Sequence, residues 1–370
     1  MSELLLIATK KGLFTARRGR DERWALSDLH FLGDHYGLVH ADSRSGWLYA
    51  AAELGHFGIK LFRSEDAGKS WAEIGKPAYP PKPEGDEDPD PLRGRPVPWN
   101  VERIWAMASG GEQQPGRLWL GCIPGGLFRS DDHGASWELV RSLWDHPDRR
   151  RWFGGGAELP GIHSVCVDPR QADTVRVAVS CGGIWETRDA GETWSVCGNG
   201  LVARFMPPEQ QLDPVAQDPH LMVQCRAEPE TFWVQHHNGI FVSRNGCASF
   251  SEIPQAGPST FGFAVAVHPR HGDTAWFVPA TKDECRVPVD GRLVVTRTTD
   301  GGRSFEELRR GLPQIHAYDL VYRHALDVDA SGRRLAFGST TGSLYVSNDG
   351  GDAWQAVGEH LPPIDAVRFA

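Results

Sequence analysis

The sequence predicts an all-β fold, a single seven-bladed β-propeller whose ring is closed by pairing the C-terminal strand with the N-terminal strands. Three observations predict it. One eight-residue turn pattern recurs along the 370 residues. Each copy lies within a frame of short β-branched and aromatic runs separated by Gly, Asp and Pro. The first frame lacks one strand, and the chain's last apolar run, 364–369, supplies it.

The turn pattern is Ser/Thr-x-Asp-x-Gly-x-x-Trp/Phe. Its good copies begin at Ser64, Ser130, Thr187, Thr298 and Ser347, with Asp66, Asp132, Asp189, Asp300 and Asp349 at the acidic position. A decayed copy beginning at Ser243 keeps its ends, Ser243 and Phe250, but has Asn245 and Cys247 in place of the Asp and the Gly. Short Ser/Thr and Asp side chains hydrogen-bond backbone N–H groups within a tight turn, and Gly tolerates left-handed backbone. Each copy is therefore expected to close a β-hairpin, its Trp or Phe folded back as an apolar plug on that hairpin. A structural role for these carboxylates follows, and a catalytic one does not.

These motifs resemble the Asp-box, or bacterial neuraminidase repeat, spaced here at intervals of 49 to 66 residues. The resemblance covers the whole chain as architecture. It points to the stand-alone bacterial propellers described as glycosyl-hydrolase-like or sialidase-like. Sialidases of this type have six blades, an early Phe/Tyr-Arg-Ile-Pro motif, three arginines for the substrate carboxylate and a Tyr–Glu nucleophile pair. This chain shows no early motif of that kind, and Arg286-Val287-Pro288 is a partial echo in blade six. Sialidase activity is not expected.

Taken in order, the blades are expected at 4–28 with 364–369, then 35–75, 101–140, 162–198, 220–253, 261–308 and 317–357, as one domain. The Pro-rich acidic stretch 77–100 is a long loop between blades. A net charge of -9 argues against a nucleic-acid binder or an anionic membrane surface as partner. No stretch approaches the ~20 apolar residues that cross a bilayer. Seven scattered cysteines, without a CxxC pair, read as thiols buried in strands of a cytoplasmic protein.

The turns occupy one face of the ring. Links between blades, and links from second to third strands, emerge on the other. Long polar segments fall almost wholly on that second face, at 28–36, 77–100, 141–161 and 199–219, and such loops usually carry function. The candidate catalytic residues there are Glu53, His56, His163, Lys282 and Glu284, expected to border one pocket; the last two belong to an insertion peculiar to blade six. Candidate ligand-binding residues are Glu102, Arg103, His237, Tyr318 and Asp319, with Arg323 deeper. Convergent acids, bases and histidines at a concave mouth fit a small polar ligand or a glycan, with glycosidase-like chemistry as the leading enzymatic possibility. The competing function is a non-catalytic scaffold for a protein partner. His40, His56 and His163 are the candidates for a three-histidine metal site, but no ligand spacing matches a known pattern. No metal or cofactor is expected.

Overall fold

A computed structural model describes residues 2–155 and 157–370. Their strands form seven four-stranded antiparallel sheets arranged as a ring. In blade one the spatial order is Ile364–Phe369, Leu4–Thr9, Gly12–Arg18 and Trp24–His30. Leu5 pairs with Phe369 and Ile7 with Val367, so the two chain ends close the ring in register. Blades two to seven run outward in chain order. Their inner strands are Tyr36–Asp42, Arg103–Ser109, Ile162–Val167, Pro219–Gln224, Gly262–Val267 and Leu326–Val328.

Alternation along the strands explains why these sheets stack as blades. In Leu4–Thr9, Leu4, Leu6 and Ala8 pack toward blade two, whereas Leu5 and Ile7 pack toward blade seven. A strand buried on both faces reads as a continuous apolar run, which is what LLLIAT is. Among the described residues every neighbouring pair of blades shares such an apolar cluster.

The turn chemistry is as the sequence implies. In blade four the Thr187 hydroxyl donates to Asp189 Oδ1 at 2.7 Å and accepts from the Gly191 N–H at 2.9 Å. Asp189 also accepts from the Thr193 N–H at 2.9 Å and the Thr193 hydroxyl at 2.6 Å. These bonds hold the Asp189 carboxyl at about 2, below the usual range. The aromatic plug reaches further than its own hairpin. Trp137 Nε1 donates to Gly75 O of blade two, and Trp354 packs with Trp276 of blade six. Each ring thus seals two blades together.

The turn glycine serves the same seam. A Cβ on Gly302, at φ +92°, would lie 2.7 Å from Ile253 Cδ1, and one on Gly351 would lie 2.6 Å from Leu308 Cδ1. Ile253 and Leu308 end the outer strands of the preceding blades. The decayed turn has Cys247 here, at φ 70°, and the preceding outer strand ends in the smaller Cys197. Both thiols belong to the cluster between blades four and five. The side chain added on one side is matched by one reduced on the other.

Two expectations need correction. Blade seven's inner strand starts at Leu326, because the preceding segment lays Leu320 and Tyr322 against Phe261 and Phe263 of blade six before pairing begins. Tyr318 and Asp319 therefore sit in the link and not in a strand. The thiols are also not all buried, since Cys285 is exposed in a turn. Among the described residues, no helix is long and apolar enough to cross a membrane.

Candidate functional site

The repeated turns share their face with the first-to-second-strand turns, to which they are hydrogen-bonded (Ala190 N–H to Asp173 O, 2.9 Å; Gly301 N–H to Asp273 O, 3.0 Å). The opposite, mouth face carries the long links. A cavity of about 460 Å³ occupies the central channel, lined by inner-strand residues that include His40, His163, Gln224 and Asp327. It extends to Arg44, Gly111 and Pro169, which lie in turns on the repeated-turn face. At its other end the Arg323 guanidinium lies between two rings, 4.6 Å from Trp105 and 5.5 Å from Phe263. Those rings come from blades three and six, across the ring from each other, so Arg323 plugs the axis. The channel cavity therefore faces away from the mouth, where the sequence led us to expect it.

Arg323 is unusual. It is buried, and it has neither an ion pair nor a hydrogen bond among the described residues. Burial lowers its basicity to about 10, against the attraction of Asp218. The other buried arginines have carboxylates, as Arg149 has Asp88 and Arg176 has Glu186.

Of the five candidate catalytic residues, only His163 lines the channel cavity. It is fully buried, its Nδ1 is 2.9 Å from the Ser164 hydroxyl, and its Nε2 has no partner. Burial pushes its basicity well down, and Arg323 adds to this. Glu53 is held by Arg103 through two contacts of 2.8 Å, with His35 at 3.7 Å bridging to Asp365 at 2.5 Å. His56 packs against Phe57 in an exposed turn, the two rings tilted by 39°. Lys282 and Glu284 are both exposed and pair with each other at 3.5 Å. Their insertion folds back on itself through Lys282 and Cys285 backbone pairing and an Arg286–Asp283 ion pair, so its charges are answered locally. The structure does not gather the five around one pocket.

The ligand-binding candidates fare differently. Arg103 joins Glu53, as above. Asp319 is buried and accepts from the Ser339 hydroxyl at 2.8 Å and the Thr341 hydroxyl at 2.5 Å. Tyr318 is exposed. The Glu102 carboxyl is raised by partial burial and by Glu158 nearby.

His237 belongs to a cluster that sequence reasoning only half found. It stands beside Asp218 and His220, with one potential ligand atom from each residue within 4.8 Å of the others. Asp218 is buried. Its Oδ1 accepts from the Ser180 hydroxyl at 3.2 Å and the Cys181 N–H at 3.1 Å, while Oδ2 faces His220 Nε2 at 3.6 Å and His237 Nδ1 at 3.5 Å. Burial pushes the Asp218 carboxyl up, but the two imidazoles outweigh it and hold it well below the usual range. The pull of Asp218 raises His237, and burial lowers His220. His220 is further fixed by Nδ1 to Gly262 O at 2.7 Å and by stacking on Phe263. His236 points the other way, its Nε2 accepting from the Asp218 N–H at 3.1 Å. That opposition is what adjacent strand-end residues should show. Asp218 carried only a weak sequence signal, an acid two residues before His220 in the run Asp218-Pro219-His220.

No family model matches the chain. Over 250 residues, 66% of its length, it is 26% identical to an oligoxyloglucan-reducing end-specific xyloglucanase of Emericella nidulans. Over 257 residues it is 25% identical to a probable enzyme of the same description from Neosartorya fischeri. The chain spans about a quarter of the length of these curated relatives, 26% in each case. Among solved structures it resembles an ancestral GH74 enzyme (TM-score 0.59, 16% identity, 86% of this chain and 38% of that one). It also resembles the periplasmic gluconolactonase PpgL of Pseudomonas aeruginosa (TM-score 0.60, 11% identity, 99% and 98%). A third neighbour is YCF48 bound to D1 peptide (TM-score 0.53, 12% identity, 96% and 84%). At these identities the structural likeness is one of fold.

Proposed function

We propose that the chain binds a carbohydrate-like ligand on the mouth face. The observation that carries this is the set of exposed rings there. Phe57, Phe205 and Tyr318 are 70%, 41% and 61% exposed and come from three separate mouth-face links. The same face carries Asp218, His220, His237 and the Glu53–Arg103 pair, and Phe205 packs against His237 with ring centroids 5.1 Å apart. Sugars present apolar ring faces to aromatic side chains and hydroxyls to polar ones, so exposed rings around fixed polar groups suit them. Similarity to xyloglucanases supports the same ligand class. If the ligand is also hydrolysed, Glu102, with its raised pKa, is the mouth acid best suited to protonate a leaving group.

Calorimetric titration with xyloglucan oligosaccharides tests the proposal. The wild-type chain should bind, and Tyr318→Ala or Phe205→Ala should each weaken binding by roughly tenfold, the worth of one aromatic contact. Both variants should melt as the wild type does, because the rings are exposed. Absence of binding across xyloglucan and cello-oligosaccharides, or variants that bind like the wild type, would overturn it. The second reading, a docking scaffold, is favoured by one observation. Leu32, Leu92, Leu212 and Ile315, also on mouth-face links, are 65–78% exposed, more apolar surface than a sugar needs. A folded chain that binds no glycan would leave that reading as the better one.

A further inference from the structure

We infer that Asp218, His220 and His237 form a binding site for a zinc-class divalent cation at the mouth of the ring. The site uses polar groups of the proposed glycan site but does not rest on that reading, since cation binding is measured without any sugar.

His220 is fixed by its contact with Gly262 O. Gly262 O is a carbonyl and can only accept, so the 2.7 Å contact places the imidazole proton on Nδ1. Its other nitrogen, Nε2, faces Asp218 Oδ2, 3.6 Å away. His237 Nδ1 approaches the same oxygen at 3.5 Å. Both separations are too long for hydrogen bonds. They suit donors arranged around a shared ion, because bonds of about 2.0–2.2 Å to zinc put neighbouring donors of a tetrahedron roughly 3.3–3.6 Å apart.

The surroundings are those of a supported metal site. Metal-binding histidines usually donate their second nitrogen to a carbonyl or carboxylate, as His220 does to Gly262 O. A ligating carboxylate is usually itself hydrogen-bonded, as Asp218 Oδ1 is by Ser180 and Cys181. Two imidazoles and one carboxylate favour zinc-type ions over magnesium or calcium, which take oxygen donors. Three protein donors leave a fourth position open, the arrangement of zinc sites that bind a water or a substrate. The His237 side chain is 23% exposed, so the ion has a way in from the mouth.

The experiment strips the full-length chain with a chelator and titrates it with Zn²⁺ by calorimetry, and with Co²⁺ by visible absorption. One Zn²⁺ per chain should bind, Co²⁺ should give d–d absorption, and Zn²⁺ should raise the melting temperature. His237→Ala should lower the affinity by more than the roughly 10–100-fold that loss of a supporting residue costs. His271→Ala tests the other close histidine pair, His268 and His271, with ring centroids 4.6 Å apart, and should change nothing. The melting temperature of metal-free His237→Ala should match that of the stripped wild type, which separates lost ligation from lost fold. A stripped wild type that binds no Zn²⁺, or a His237→Ala chain that binds it unchanged, would overturn the site.

Discussion

His40 and His324 line the channel and carry a consequence for acid stability. Each is lowered from the ordinary imidazole value of 6.5 to about 3, chiefly by removal from water. Arg368 and Arg44 oppose the charge of His40 while Asp42 favours it; Arg368, Arg323 and Arg103 oppose that of His324. A depressed imidazole stays neutral in the fold, whereas the unfolded chain takes up a proton below about pH 6.5. Stability is therefore greatest above pH 6.5 and falls as the pH drops toward 3. Melting temperatures measured from pH 7 to pH 4 should decline, and His324→Gln should flatten that decline by removing one of the protons involved. An identical slope in the variant would count against the assignment. At this scale the sequence was least legible. His237 was among the candidate ligand-binding residues, but Asp218 beside it was not, because its meaning depends on strand ends that meet only in the folded ring. Lys282 and Glu284 misled for the converse reason, since an insertion rich in both signs can satisfy its own charges.

For a strand or a turn, the repeat made most of the structure readable. The pattern of Thr187, Asp189, Gly191 and Trp194 predicts its own hydrogen bonds, because partners two to four residues apart need no tertiary information. The seam between blades was not readable from one copy alone, since it depends on a residue about fifty positions earlier. Cys197 and Cys247 are the test of it. Cys197→Ile restores the large residue found at Ile253 and should overpack the seam, at a cost of about 1–3 kcal/mol. Adding Cys247→Gly should recover most of that loss, and a double mutant cycle by urea unfolding measures the coupling. Additive effects would show that the two positions do not compensate each other.

Across the molecule, the closing strand Ile364–Phe369 holds the ring together. Ile364, Val367 and Phe369 are buried, and burying each such side chain contributes about 1.5–3 kcal/mol. That is a large part of the 5–15 kcal/mol that usually separates folded from unfolded chains. Removal of residues 364–370 should abolish a cooperative calorimetric transition, because it also bares the edge of Leu4–Thr9. A truncated chain that melts cooperatively near the wild-type temperature would refute this. The closure was legible because the first frame was one strand short, whereas the late start of blade seven was not, since apolar residues 317–322 look the same in a strand or packed irregularly over blade six.

The same closure sets an order of events during synthesis. Leu4–Thr9 leaves the ribosome long before its pairing partner, Ile364–Phe369. While the residues between the two are made, an apolar strand meant to be covered on every side waits with one edge open. Such an edge is an invitation to wrong partners, including the same strand of another nascent chain. Protection of that first strand, by a chaperone or by slow release, thus matters more for this protein than for one whose neighbouring strands are also neighbours in sequence.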